Sequence, residues 1–287
     1  VVDASLNSNN PCVDAATAAA GSDTLHSGAR QAPTSSSQAV TIPQAGADYL
    51  APTQTFTICY AESSGTTSDT TWRDSYVRVK VSKIETLAAH SVTHKTAGSI
   101  AKTSALQLTY DGSLEQNMWV SLVDATLNSN FPCADATEAA GTAAAAATPP
   151  TSAYSGVSRS GSTDTVVVFD TTVMDTALLY AVCYAESTGD NTDSWTDTGI
   201  RLYLSKIVVH YGPASTSFPV RQWLSPNVLP ALNRMPQVPN AVLTYYGELA
   251  SQKWLSVVDA SLNSNNPCVD AATAAAAADT AHSGSQA

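Results

Sequence analysis

Basic side chains are scarce. Lysine and arginine number 13 against 24 acidic residues, a net charge of −11 over 287 residues, and charged residues make up only 13% of the chain. A nucleic-acid partner needs a basic face to neutralise phosphates, so the balance counts against one. Long apolar runs are missing too. The longest, such as Thr165 to Phe169 and Ala177 to Val182, fall well short of the roughly 20 residues of a membrane-spanning helix. No asparagine opens an N-x-Ser/Thr acceptor, since Asn191-Thr192-Asp193 and the SLNSN segments all fail, so N-linked sugar is not expected. There is no G-x-S-x-G elbow, no phosphate-cradling glycine loop and no H-E-x-x-H helix, and the chain reads as a non-enzyme without cofactor. His90 and His94 lie four apart in a Ser/Thr-rich stretch that occurs once; no metal set is read there. The acidic balance permits calcium at domain junctions, but no Asp-x-Asp string supports it.

What is present is a repeat. Residues 1 to 20, VVDASLNSNNPCVDAATAAA, recur unchanged at 257 to 276, and a diverged copy, LVDATLNSNFPCADATEAAG, occupies 122 to 141. A second block, ICYAES to SKI, ends at Ile84 and again at Ile207. A third, LTYDGSLEQNMW from Leu108 and LTYYGELASQKW from Leu243, precedes the Pro-Cys motif in the second and third copies only. Such periodicity indicates tandem structural units. Three segments follow: 1–107, a repeat lacking its first strand; 108–242, a complete repeat ending in a Pro-rich linker; and 243–287, the start of a third. The joining stretches, Thr86 to Lys102 and Pro213 to Pro239, read as linkers or long loops. Because Val1 begins inside a recurring motif, the chain reads as a mature or windowed piece of a longer precursor.

Val77, Val79 and Val81 alternate with Arg78 and Lys80, and Ile200, Leu202 and Leu204 with Arg201 and Tyr203. Period-2 alternation indicates strands with one face buried. Phe56 to Ala61, Leu178 to Ala185, Thr165 to Phe169, Trp119 to Val123 and Leu243 to Tyr246 are short, β-branched or aromatic, and bounded by turn formers, which gives six or seven short strands per unit. Tyr184 to Trp195 reads as a hairpin, with Gly65 and Gly189 supplying positive φ in the two copies. A helix starting at Asn10-Pro11, with Asn10 as N-cap and Asp14 near the positive end, competes with an ordered loop. The expected fold is all-β: tandem immunoglobulin-like antiparallel β-sandwich domains, each with one disulfide. The immunoglobulin hallmarks are incomplete, because Trp119 precedes Cys133, Trp195 follows Cys183, and Tyr180 lies three residues before it.

Each unit holds one cysteine pair, Cys12 with Cys59 and Cys133 with Cys183, and Cys268 is left over. No close C-x-x-C pair suggests a metal, so the pairs are read as disulfides, and Cys268 as unpaired or intersubunit. Glu62, Glu186, Asp74 and Asp197 recur with Arg78, Arg201, Lys83 and Lys206; two carboxylates flanking a cleft would suit a glycosidase, whereas recurring partners suit cross-strand ion pairs. Ser/Thr clusters beside proline mark Thr34, Ser35, Ser36, Ser37, Thr148, Thr151 and Ser152 as candidate O-glycosylation sites, with bare disordered segments as the alternative.

With its duplicated CYAES…W…D motif, PC motif and linker composition, the chain resembles tandem immunoglobulin-like repeat proteins of extracellular filaments, of the mastigoneme type on algal or protist surfaces. The resemblance implies a secreted, glycosylated fibre subunit. The expected function is a structural subunit assembled head to tail, in which the strand marked by Leu243, Tyr245, Leu249 and Trp254 completes the first domain of the next copy, closing an exposed edge. In the competing version the polypeptide continues and the fibre is covalent. The rival class is a surface adhesin or carbohydrate-binding repeat protein, which would display Trp119/Trp254 or Trp72/Trp195 as platforms; core burial of these indoles favours the structural class.

Overall fold

A computed structural model of the protein describes residues 1–33, 38–44, 46, 49–89, 92–141, 148–211, 218–219, 237 and 239–286. The fold is all-β, with strands in mostly antiparallel sheets and only short helical turns. In the N-terminal lobe β1 (Val2–Asp3), β2 (Phe56–Tyr60) and β3 (Arg73–Val79) form one sheet in that order.

Nine strands then build a sandwich: β4 (Ile84–Ala89), β5 (Val92–His94), β6 (Ala97–Ala101), β7 (Leu106–Gly112), β8 (Trp119–Asp124), β9 (Tyr154–Arg159), β10 (Val166–Phe169), β11 (Leu179–Ala185) and β12 (Trp195–Ser205). One sheet has the order β10-β7-β4-β5, the other β6-β12-β11-β8-β9. All neighbours are antiparallel except β6, which runs parallel to β12. A last sheet joins β13 (Val208–Tyr211), β14 (Phe218–Pro219) and β15 (Leu243–Tyr246) in the order β14-β13-β15.

Side-chain alternation sets the layers. In β7, Leu106, Leu108 and Tyr110 point into the core while Gln107 and Thr109 are exposed, as period 2 requires. They meet Leu122, Tyr180, Val182, Tyr184, Ile200 and Leu202 of the opposite sheet in one apolar cluster. Behind that sheet a second cluster gathers Cys133, Ala139, Tyr154, Ala181, Cys183 and Trp195. The five-stranded sheet is therefore covered on both sides, which explains why β11, LYAVCYA, is almost continuously buried and almost continuously apolar.

The structure corrects four readings of the sequence. The sandwich runs from Ile84 to Ser205 with nine strands rather than six or seven, and the expected boundary at 107/108 falls inside β7. The boundary at 242/243 likewise separates β15 from its partner β13. Of the Thr86 to Lys102 linker, the described residues form the end of β4 and all of β5 and β6, and Leu87, Ala89, Ile100 and Ala101 are buried. The linker at Pro213 to Pro239 lies almost wholly outside the described residues. The Ala-rich segment makes no long helix. Pro11–Val13 forms one 3-10 turn and Ala15–Ala18 a single helical turn whose N-cap is Asp14, accepting from the amides of Ala16 and Thr17.

Ahead of the Pro-Cys motif the backbone turns left-handed, with φ/ψ of 45°/50° at Asn7 and 55°/44° at Ser8. The same turn recurs at Asn128-Ser129 and Asn263-Ser264. Asparagine tolerates this region because its short amide can bond locally. The side chains of Asn7, Asn128 and Asn263 each donate to the carbonyl three residues on, at 2.9, 3.0 and 2.9 Å.

Candidate assembly surfaces

Cys12 is bonded to Cys59, with Cα atoms 5.3 Å apart, and Cys133 to Cys183, with Cα atoms 5.4 Å apart. Each bond ties a Pro-Cys turn to the strand that carries CYAE. Cys268 sits on the third copy of the turn, free and exposed.

Aligned on Cys59 and Cys183, β2 and β3 correspond to β11 and β12. The lobe, however, shows part of the face that the sandwich hides, although Phe56, the counterpart of Tyr180 on it, is buried. Tyr184 and Ile200 are each 1% exposed, whereas their counterparts Tyr60 and Val77 are 46% and 49% exposed. In the sandwich β4, β7 and β10 cover this face; among the described residues no second sheet is formed with the lobe's own strands. Sequence alone misses Tyr60 and Val77 as surface residues because they carry the same pattern as their buried counterparts.

The C-terminal strands carry the complementary half. Val209 pairs with Tyr245 and Tyr211 with Leu243, as Leu87 pairs with Tyr110 in the sandwich. Leu249 N donates to Lys206 O at 3.1 Å, repeating Leu114 N to Lys83 O at 3.0 Å. Gly247 (φ 109°) and Gly112 (φ 139°) both press against the preceding lysine carbonyl, where a Cβ would collide. The Tyr245 hydroxyl reaches Ala250 O, as the Tyr110 hydroxyl reaches Glu115 O. Leu243, Tyr245 and Leu249 are half-buried, and Trp254 is 67% exposed.

The other described indoles are built into the fold. Trp72 and Trp195 are buried, and each donates Nε1 to a carbonyl of its own hairpin, Thr66 O at 3.1 Å and Asp190 O at 3.0 Å. Asp69 and Asp193 close these hairpins: Asp69 accepts from the amides of Ser64, Gly65 and Thr71, and Asp193 from those of Ser187 and Gly189. The Thr71 hydroxyl and these amides hold the Asp69 carboxyl well below the usual carboxylate range. Trp119 donates Nε1 to Ser187 O at 3.1 Å, with the Arg159 guanidinium 5.0 Å from its ring centre.

The recurring aspartates and arginines pair within strands rather than across them. Asp74 meets Arg78 at 2.8 Å and Asp197 meets Arg201 at 2.6 Å, each four residues apart on one strand. A backbone irregularity brings them together: Tyr76 and Gly199, midway between, have φ of 61° and 79°. Lys83 instead pairs with Glu186, and its amide donates to the Tyr184 hydroxyl. A cleft of about 540 Å³ is lined by Pro52, Lys80, Phe131, Trp195 and Asp197.

Of the candidate glycan acceptors, Thr34, Ser35, Ser36 and Ser37 lie outside the described residues. Thr151 and Ser152 are exposed. Thr148 is corrected: its hydroxyl is buried, and the side chain packs against Gly141, closed to a glycan. His90 is also outside the described residues, and His94 is a buried residue of β5. Among the described residues no group of three His, Cys, Asp or Glu side chains could hold a metal, and no helix is long and apolar enough to cross a membrane. Comparison with protein-family models, curated proteins and solved structures finds no match.

Proposed function

We propose that the protein is a structural subunit of an extracellular filament whose partners are copies of itself, joined head to tail. At each joint the C-terminal strands of one copy cover the open face of the next copy's N-terminal lobe and close a second sandwich. One observation carries this reading: Tyr60 and Val77 lie open where Tyr184 and Ile200 are sealed. Covering an apolar side chain of this size contributes about 1.5–3 kcal/mol. The donor surface and the acceptor surface lie on different parts of each copy, so the contact propagates as an open helical array unless its rotation closes a ring.

The sandwich is read as immunoglobulin-like. β6 lying parallel beside β12 supports this, as does the Tyr180 hydroxyl, whose single proton is shared between Ser152 O at 2.6 Å and Asp175 O at 2.8 Å where the chain enters β11, a tyrosine-corner arrangement. Two disulfides suit an oxidising, extracellular site. Thr151 and Ser152 are the described positions open to O-glycans.

Electron microscopy and sedimentation of the whole chain against a version lacking residues 243–287 test the reading. Fibres from the first and single particles from the second are expected. Equal assembly by both would overturn it.

A further inference from the structure

The cleft of about 540 Å³ lies where the N-terminal lobe meets the sandwich. On the sandwich side it is lined by Phe131, by Cys133 and Ala134 of the Pro-Cys turn, and by the stretch from Asp193 to Gly199. On the lobe side it is lined by Pro52, Thr53 and the connector residues Lys80 to Ser82. Its volume is that of a small-molecule site.

One ring in it stands open. Phe131 is 65% exposed, and its backbone is fixed: Phe131 N donates to Asn128 O at 3.1 Å, and the Asn128 amide donates to Phe131 O at 3.0 Å. Trp195, by contrast, lines the cleft while buried, with its Nε1 already bonded to Asp190 O. At the place of Phe131 the other two copies of the turn carry Asn10 and Asn266, and at the place of Ala134 they carry Val13 and Val269. The copy that borders this cleft has therefore gained a ring and lost bulk beside it.

The reverse change occurs on the strand. Gly199, which also lines the cleft, corresponds to Tyr76 of the lobe. A Cβ on Gly199 would meet nothing within 4 Å, so a larger side chain there would enter the cleft. One unit thus combines Phe131 with glycine, and the other Tyr76 with Asn10. Each pair supplies one aromatic side chain.

We infer that this cleft binds a short neutral oligosaccharide, with one pyranose face stacked on Phe131 and its hydroxyls bonded to Asp197, Thr198 and Lys80. The C–H bonds on a pyranose face are polarised by the ring's oxygens and suit the negative face of an aromatic ring. The polar partners have capacity to spare. Asp197 Oδ1 accepts from Gly199 N and Arg201, but Oδ2 accepts from Arg201 alone, which leaves a lone pair for a sugar hydroxyl. The Thr198 hydroxyl accepts from Ile200 N at 3.0 Å and keeps its own proton to donate. Lys80 is exposed and has no hydrogen-bond or ion-pair partner among the described residues. A wholly apolar ligand would strip water from these groups without replacing its bonds. The net charge of −11 repels a polyanion, which favours an uncharged sugar. Both sides of the cleft belong to one chain, so the site is independent of the head-to-tail reading.

The test is an NMR titration of the ¹⁵N-labelled whole chain with β-1,4-linked hexamers of glucose, mannose and xylose, and with hexagalacturonate as the charged control. At least one neutral hexamer at millimolar concentration is expected to shift the amides of Phe131, Ala134 and Thr198. Phe131→Asn, which restores the residue of the other copies, is expected to weaken that binding about tenfold. Adding Gly199→Tyr to it is expected to recover most of the loss, with circular dichroism showing that both variants fold. No response to any neutral hexamer, a response to hexagalacturonate alone, affinity unchanged by Phe131→Asn, or a folded double variant that recovers nothing would each overturn the assignment. The presence or absence of filaments bears only on the head-to-tail reading.

Discussion

Arg201 grips Asp197 with both prongs of its guanidinium, Nη1 on Oδ1 at 2.8 Å and Nη2 on Oδ2 at 2.6 Å. Arg78 holds Asp74 in the same way, at 3.0 and 2.8 Å. Bidentate pairs of this kind are short and directional. In the lobe the hydroxyl of Thr57 adds a third bond to Asp74, at 2.7 Å.

The Arg78 and Thr57 bonds hold the Asp74 carboxyl down at about 2. Its folded pKa is thus depressed below the unfolded value of about 3.9. The stability it contributes is present above that unfolded value and is lost as pH falls through the folded one. A carboxyl-detected NMR titration is expected to place the Asp74 midpoint near 2. Denaturant midpoints for the lobe should fall between about pH 4 and pH 2, through Asp74 and Asp69 together, and Arg78→Met should remove the share that Asp74 contributes.

Tyr180 gives the opposite sign. Burial raises its phenol to about 12, above the ordinary value of about 10. The sandwich keeps this contribution below that ordinary value and loses it as pH rises through the folded one. Ultraviolet titration is expected to show Tyr180 ionising last but for any phenol more deeply buried. Tyr180→Phe leaves the carbonyls of Ser152 and Asp175 without this donor, and is expected to cost about 1–3 kcal/mol in chemical denaturation.

The positive φ shared by Tyr76 and Gly199 permits a reciprocal test. A Cβ on Gly199 would meet nothing within 4 Å, so Gly199→Ala changes backbone strain alone. It is expected to destabilise the sandwich by about 1 kcal/mol, and Tyr76→Gly to stabilise the lobe by a similar amount. Equal melting temperatures for parent and variants would contradict this.

Reduction should proceed in order. With Cys59 half-buried and Cys183 fully buried, limiting reductant is expected to open Cys12–Cys59 first, as timed alkylation and mass spectrometry would show. Replacing both Cys133 and Cys183 by alanine is expected to cost the sandwich about 2–4 kcal/mol.

The strands richest in branched and aromatic residues could be read from the sequence, because β11 and β12 announce themselves by composition and alternation. β6, with the sequence Ala97-Gly98-Ser99-Ile100-Ala101, could not. Its small side chains imitate a linker, and only pairing with β12 makes it a strand. The unit boundaries were hidden for a different reason. A repeated text has no marked beginning, so cutting it at Leu108 or at Ile84 gives equally regular copies. The fold's phase is set by which strands share hydrogen bonds, and those bonds join β4 to β7 across the textual cut. The open face was obscured by the very similarity of the copies, since Tyr60 and Tyr184 differ only in what covers them.

The parallel seam between β6 and β12 has a mechanical meaning. Ala97 to Ala101 lie beside Arg201 to Ser205, one strand near the sandwich's entrance and the other at its exit. Tension pulling the two ends of the domain apart slides these strands lengthwise, loading the whole row of backbone bonds in shear rather than peeling them one at a time. A domain entered and left in this way resists stretching along its own chain direction.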